Sequence, residues 1–317
     1  MGNAGAVEER HRDPYVSRGD GARPVLLRAR EVDGGPEEPV VAQGARGRPR
    51  FGALSLLSSL MPHSLACQPF ACLLALPSRL SWASRPTGRY SIHMCGRVTV
   101  RTSPDQLVTE LGLAGIRASV ERPRFNLCPT QLMPVVPNDG ARLLDAFRWG
   151  LIPSWAKDPS IGSKLINARG ETVAEKPSFR TALKKRRCLV VVDGWYEWKQ
   201  STKPKTPYFF HRKDGAALTL AGLWEEWTAP DTGEVLNTCT IITTGPNALM
   251  APIHDRMPVI LAPEARELWL RPEPQDPATL LPLLTPFSDD ALEAYEVARV
   301  VNSPGNDVPA CVERVAA

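Results

Sequence analysis

Lysine is missing from most of this chain, which carries none before Lys157 and none after Lys213. The 93 residues ahead of Met94 hold 12 arginines and 8 acids, so of the chain's 38 basic and 34 acidic residues, 26 of each sign remain from Met94 onward. That balance excludes a body that holds nucleic acid by bulk positive charge. A nucleic-acid partner would have to meet a local basic surface, and residues 157–213 are the first place to look. Paired cysteines are lacking too. The seven (Cys67, Cys72, Cys95, Cys128, Cys188, Cys239 and Cys311) form no C-x-x-C pair, and none has a histidine at metal-ligand spacing. Neither a zinc site nor a disulfide framework is indicated, no metal or cofactor is expected, and a reducing cytosol fits best. Long apolar runs are also absent. The apolar stretch within 51–78 is broken by Pro62, His63, Gln68 and Pro69 and lies too far from the N-terminus for a secretory signal, so no membrane association is expected.

The 317 residues suffice for one large domain or two small ones. Residues 1–93 are rich in Arg, Gly, Pro, Ala and Ser and show no sustained period of 3.6 or 2. They read as a disordered extension, or as a product of a start assigned too early, with Met94 the true initiator; the lysine-free composition favours the second. From Met94 the pattern is that of a folded domain. Ser103-Pro104, the run DQLVTEL and Gly112 supply an N-cap, a first-turn proline and a terminal glycine for a short helix. Ser178 opens a second helix over FRTALKKRR, and CLVVVDGWYEW after it has the β-branched run of a buried strand. LTLAGLWEEW and TCTIITT are two more strands, joined as a hairpin through Pro230-Asp231-Thr232-Gly233. EARELWL and SDDALEAYEVARV read as late helices on either side of a proline-rich link. Strands in the middle with helices at the edges predict an α+β class, without internal repeats.

The chemistry begins at Met94-Cys95-Gly96-Arg97. A cysteine that comes first in a mature chain carries a free α-amine, with a pKa near 7.7–8.0, beside a thiol that titrates near 8.5. An aldehyde condenses with the amine to a Schiff base, and the thiol closes that to a five-membered thiazolidine. An internal cysteine offers only a thiol, whose hemithioacetal reverses readily. Glu197 lies in the apolar-aromatic run Gly194-Trp195-Tyr196-Glu197-Trp198, where lost solvation would raise its pKa toward neutrality. The competing reading is an exposed glutamate on a strand edge. His254, one of five histidines, sits between Pro252 and Pro258, and its pKa range suits proton transfer at physiological pH. Arg169 and Arg256 are suited to phosphate contact. Trp149 and Trp155 are candidates to stack on or wedge against bases, although tryptophan is more often core than platform. Lys184, Lys185, Arg186 and Arg187 form a basic run that reads as a solvated face.

The segments MCGR, RFNLCPTQLMPVV, WGLIPSWAKD, INARGETVAEKPSFR, RRCLVVVDGWYEWK, AGLWEEW and APIHDRMPVIL, in this order, resemble the SRAP family, the SOS response-associated peptidases or abasic-site processing proteins. The resemblance spans residues 94–312 and leaves 313–317 as a tail. It implies a single α+β domain with a mixed, mostly antiparallel sheet core, peripheral helices and a basic groove for single-stranded DNA. It further implies a thiazolidine crosslink between Cys95 and the ring-opened sugar aldehyde of an abasic site, as part of the DNA damage response. Asn167 matches the family's active-site asparagine; a turn or cap is its alternative role. Glu197 takes the acid-base role, and His254 assists ring opening and reversal of the crosslink. Arg97, Trp149, Arg169 and Arg256 become the DNA-binding set. Peptidase-type hydrolase activity, including exposure of Cys95 by the protein itself, and lyase activity belong to the same expectation, as does a monomer. Two other readings stay open: a thiol peptidase using Cys95, His254 and Asn167, and a non-catalytic single-stranded DNA-binding module.

Overall fold

A computed structural model describes residues 95–120 and 123–316. The stretch read as an extension, Met94, Cys67 and Cys72 lie outside the described residues. The strands are β1 (Val98–Val100), β2 (Gly115–Ile116), β3 (Arg124–Leu127), β4 (Leu132–Pro137), β5 (Leu143–Trp149), β6 (Asn167–Arg169) and β7 (Arg187–Val192), then β8 (Gly194–Lys199), β9 (Thr206–Arg212), β10 (Leu218–Thr228), β11 (Val235–Thr244), β12 (Met257–Pro258) and β13 (Leu292–Glu296). The helices are α1 (Pro104–Leu111), α2 (Arg180–Lys185), α3 (Pro263–Trp269) and α4 (Pro277–Leu280).

Antiparallel pairing runs β11-β10-β7-β4-β5, and β5 then meets β11 in parallel at Arg148↔Thr238. These five strands therefore close into a ring, which removes the free edges an open sheet would expose. A second sheet runs β13-β9-β8-β1-β3. The fold is mixed α+β, with sheets largely antiparallel and few helices.

β7 explains the uninterrupted apolar run. Every residue from Arg187 to Val192 is buried; Cys188, Val190 and Val192 enter one core cluster, while Leu189 and Val191 enter another. A strand covered on both faces needs no alternation. The run CLVVVDGWYEW is nevertheless two strands in two sheets, a correction to the single strand read from it. Asp193 makes the break: its carboxylate accepts from the backbone NH of Arg101 and Thr102 and from the Thr102 hydroxyl. The core cluster containing Val190 spans both sheets, with Met133, Leu220 and Ile241 from the ring and Val98, Trp195, Phe210 and Leu292 from the second sheet.

α1 carries its expected caps. Ser103 accepts from the Gln106 backbone NH at 3.3 Å, the Gln106 side chain accepts from the Ser103 backbone NH, and Gly112 ends the helix at φ 60°. α2 is shorter than the predicted segment. Phe179 occupies its N-cap without a side-chain hydrogen bond, and Arg187 is already strand. The basic run there is only partly a solvated face. Lys184 and Lys185 are exposed, but Arg186 pairs with Glu225 at 2.6 Å and Arg187 is fully buried. Arg187 donates to the carbonyls of Trp269 at 2.9 Å and Leu183 at 3.1 Å, and also to those of Lys184, Arg271 and Glu273. It thereby satisfies chain ends of α2 and α3 that lack intrahelical partners.

The hairpin β10–β11 pairs from Gly222↔Ile241 to Thr228↔Val235, as read. The helix expected over 288–300 is instead β13 followed by a short 3-10 turn, Arg299–Asn302. The reason is tertiary: Leu292 to Glu296 pair with Arg212 to Tyr208 of β9, and Tyr295 packs edge-on against Phe209 with the Arg314 guanidinium over its ring.

Candidate active site

The site lies where the second sheet meets strands added to the ring. β1 runs antiparallel to β8 with Val98 opposite Trp195, and the Tyr196 NH donates to the Arg97 carbonyl at 3.0 Å. Continued backward, that register brings the residues ahead of β1 alongside Glu197, and the Cys95 backbone NH donates to Glu197 Oε1 at 2.5 Å. Cys95 and Glu197 are each 1% exposed. Cys95 holds φ 47°, in the left-handed region that a residue with a Cβ adopts at a cost of about 1 kcal/mol or more. Burial pushes the Glu197 carboxyl up to about 8, against the opposing pull of its hydrogen bonds from Cys95. Burial, then the neighbouring Glu197, raises the Cys95 thiol well above its ordinary value. Near neutral pH this pair is a thiol beside a carboxyl able to give or take a proton.

The other half of the site comes from β6, β11 and the turn before β12. β6 lies parallel to β11, with Asn167 opposite Ile241 and Arg169 opposite Thr243. Period-2 alternation puts Asn167, half-buried, and Arg169, exposed, on one face of β6, while Ala168 enters the core. Arg256 donates to the Thr243 carbonyl at 2.7 Å and grips both oxygens of Glu171, at 2.5 and 2.8 Å. His254 is mostly buried, and its Nδ1 accepts from the Arg256 NH at 3.2 Å and lies 2.9 Å from the exposed Asp255 carboxylate. Burial lowers the His254 pKa, outweighing the opposite effect of Asp255. Burial thus favours the neutral imidazole, the form that can act as a base. The field of Arg256 reaches the Cys95 thiol, and that of Lys205 reaches both Glu197 and His254, which ties the two halves together.

Cys95 and Glu197 are thus in direct contact, His254 and Arg256 share one turn, and Asn167 and Arg169 share one strand face. Two residues of the anticipated DNA-binding set have other positions. Arg97 is 7% exposed, and its guanidinium donates to Asn126 Oδ1 at 2.9 Å and to the carbonyls of Val301 at 2.7 Å and Asn302 at 3.4 Å. It ties the segment ahead of β1 to the C-terminal segment, and its fork is already occupied. Trp149 is fully buried with its indole NH on the Ile166 carbonyl at 2.9 Å, so it is core and not a stacking platform. Trp155, in the same motif, is 60% exposed. Sequence reasoning missed Lys205, Glu171 and Thr243. No spacing marks Lys205 or Thr243, whereas Glu171, inside INARGET beside Arg169, could have been noticed as a charge partner.

Among the described residues no group of three or more His, Cys, Asp or Glu could hold a metal ion, and no helix is long and apolar enough to cross a membrane.

The sequence model of the SOS response associated peptidase (SRAP) family matches residues 94–304. The abasic site processing protein YoqW of Bacillus subtilis (strain 168) is 46% identical over 223 residues, which is 69% of this chain and 99% of that protein. The abasic site processing protein HMCES of Xenopus tropicalis is 31% identical over 265 residues, covering 70% of this chain and 78% of its own. Among solved structures, a protein from Bacteroides thetaiotaomicron superposes with a TM-score of 0.64 at 30% identity, covering 70% of this chain and all of that one.

Proposed function

The chain belongs to the SRAP family, and from that footing we propose that it processes abasic sites in single-stranded DNA by forming a covalent thiazolidine between Cys95 and the ring-opened sugar aldehyde. The observation that carries this reading is the contact between the Cys95 nitrogen and a buried Glu197 whose pKa is raised to about 8. The reaction requires that nitrogen as a free α-amine, so whatever precedes Cys95 must first be removed. The amine attacks the aldehyde carbon and forms a carbinolamine. Glu197 donates a proton as hydroxide leaves as water, which produces the Schiff base. The nitrogen keeps its own proton in the iminium so formed; the thiol adds to the iminium carbon, and the thiol proton returns to the Glu197 carboxylate, which leaves the ring nitrogen a neutral secondary amine. A carboxyl that titrates near neutrality suits both transfers.

His254, neutral and proline-flanked, acts as the base that assists opening of the sugar ring and reversal of the crosslink. Asn167 orients the opened sugar, and Arg169 and Arg256 receive backbone phosphates. This division keeps DNA recognition independent of base identity, because phosphate contacts carry no sequence information. One protein copy suffices for one lesion, so the working unit is a monomer. The thiol-peptidase reading receives less support, since burial disfavours the standing thiolate that such an enzyme needs. Peptidase-type hydrolysis remains part of the proposal only as the step that exposes Cys95.

Cys95→Ser tests the proposal against a pure binding module. The variant is expected to lose all heat- and detergent-stable adduct with an abasic oligonucleotide while it retains weak binding. Intact mass of the active protein should begin at Cys95. A crosslinking protein that retains residues ahead of Cys95 would overturn the thiazolidine.

A further inference from the structure

The Arg256 guanidinium does not stand open to a ligand. Both of its terminal nitrogens engage Glu171, and Nη2 also reaches the Thr243 carbonyl at 2.7 Å and hydroxyl at 3.2 Å. The two partners differ in kind. Thr243 is buried in β11, so its grip on Arg256 is part of the framework. The side chain of Glu171 is 54% exposed, against 11% for Arg256. The charge of Arg169 also acts on that carboxylate, more weakly than the direct grip of Arg256, so both arginines assigned above to backbone phosphate favour an anion at this position. A planar carboxylate gripped bidentately by a guanidinium uses the same geometry and charge as two oxygens of a phosphate.

We propose that Glu171 is an internal stand-in for a DNA backbone phosphate, occupying the anion seat of Arg256 and Arg169 until an incoming strand displaces it. The inference rests on the phosphate-binding part of the proposed function and adds a gate to it. Intact DNA strands, which offer only phosphate, must compete with Glu171. A strand carrying an abasic site can offset the same competition by the covalent bond it forms. Displacement requires only rotation of an exposed side chain, because Thr243 keeps Arg256 in place after Glu171 leaves.

The test measures affinity for a single-stranded oligonucleotide without an abasic site, so that no crosslink forms. Glu171→Gln keeps the shape and removes the charge. It is expected to bind about 2- to 5-fold more tightly than wild type, the scale of an exposed ion pair. Arg256→Gln should bind more weakly than wild type, and the gain from Glu171→Gln should vanish in its background. In parallel, inorganic phosphate should raise the melting temperature of Glu171→Gln above that in chloride of equal ionic strength, with no such rise in wild type; this arm does not depend on Arg256→Gln folding. Equal or weaker DNA binding by Glu171→Gln, with Arg256→Gln still impaired, would overturn the stand-in and leave Glu171 as a residue that merely orients Arg256. Unchanged binding by Arg256→Gln would instead remove the phosphate reading on which the inference rests.

Discussion

At the scale of single residues, two buried ionisable groups define what this molecule tolerates. Glu197 is the first. Its folded pKa of about 8 lies above the ordinary value of 4.5, so the folded state holds this proton more tightly than the unfolded chain. Stability associated with it is fully present below pH 4.5 and is lost as the pH rises toward 8. Each tenfold difference in proton affinity is about 1.4 kcal/mol, so the loss is on the order of a few kcal/mol. Glu197→Gln should therefore melt higher than wild type at pH 8, with the gap closing toward pH 5, while forming adduct at least ~100-fold more slowly if it loses general acid-base catalysis. Melting curves at the two pH values and adduct kinetics check both halves; a variant less stable than wild type at pH 8 refutes the assignment of Glu197 as a strained buried acid. Arg187 is the second group. Burial pushes its pKa down to about 10, and it satisfies main-chain carbonyls at the ends of α2 and α3. Arg187→Met would orphan those carbonyls, with an expected loss of about 3 kcal/mol or more, read by urea denaturation. Glu197 was legible in the sequence because a carboxylate among tryptophans is conspicuous; Arg187 was not, because nothing in a basic run shows which member turns inward.

At the scale of elements, α1 shows local signals at their most reliable. Its proline, capping serine and terminal glycine act within a few residues of one another, and Ser103→Ala should cost about 1 kcal/mol, measured as a shift in denaturation midpoint at constant slope. β13 shows the opposite case. Its residues, LEAYE, are good helix formers, and only pairing with β9 and packing on Phe209 hold them extended. A peptide spanning 288–300 should accordingly gain helix, not strand, in circular dichroism as trifluoroethanol is added; strand in isolation would mean that the extended form is intrinsic. The run 187–198 sits between these cases. Its β propensity was readable, but the break at Asp193 depends on donors from residues 101 and 102, distant in sequence. Gly150 adds a connection no periodicity reveals: its φ is 119°, and a Cβ there would sit 2.6 Å from the Gly162 carbonyl.

At the scale of the whole molecule, the ring and the second sheet share one hydrophobic cluster, so the described domain should unfold in a single transition with coincident near- and far-ultraviolet signals. Two separated transitions would show that the sheets are independent. Arg169 and Arg256 are the candidate phosphate contacts at the site, Arg97 being engaged internally. The salt dependence of single-strand binding should then be shallow, with a log-log slope of about −1.4. The sequence by itself determined the class and the ordered motifs and marked Cys95 and Glu197 as candidates, because these depend on residue type and on neighbours within a few positions. Only the tertiary structure decided that Arg97 and Trp149 face inward, that Arg187 is buried, that β13 is a strand and that Glu171 fills the grip of Arg256. Each of these depends on groups from remote parts of the chain, and burial at such contacts, not residue identity, selects between a surface role and a structural one.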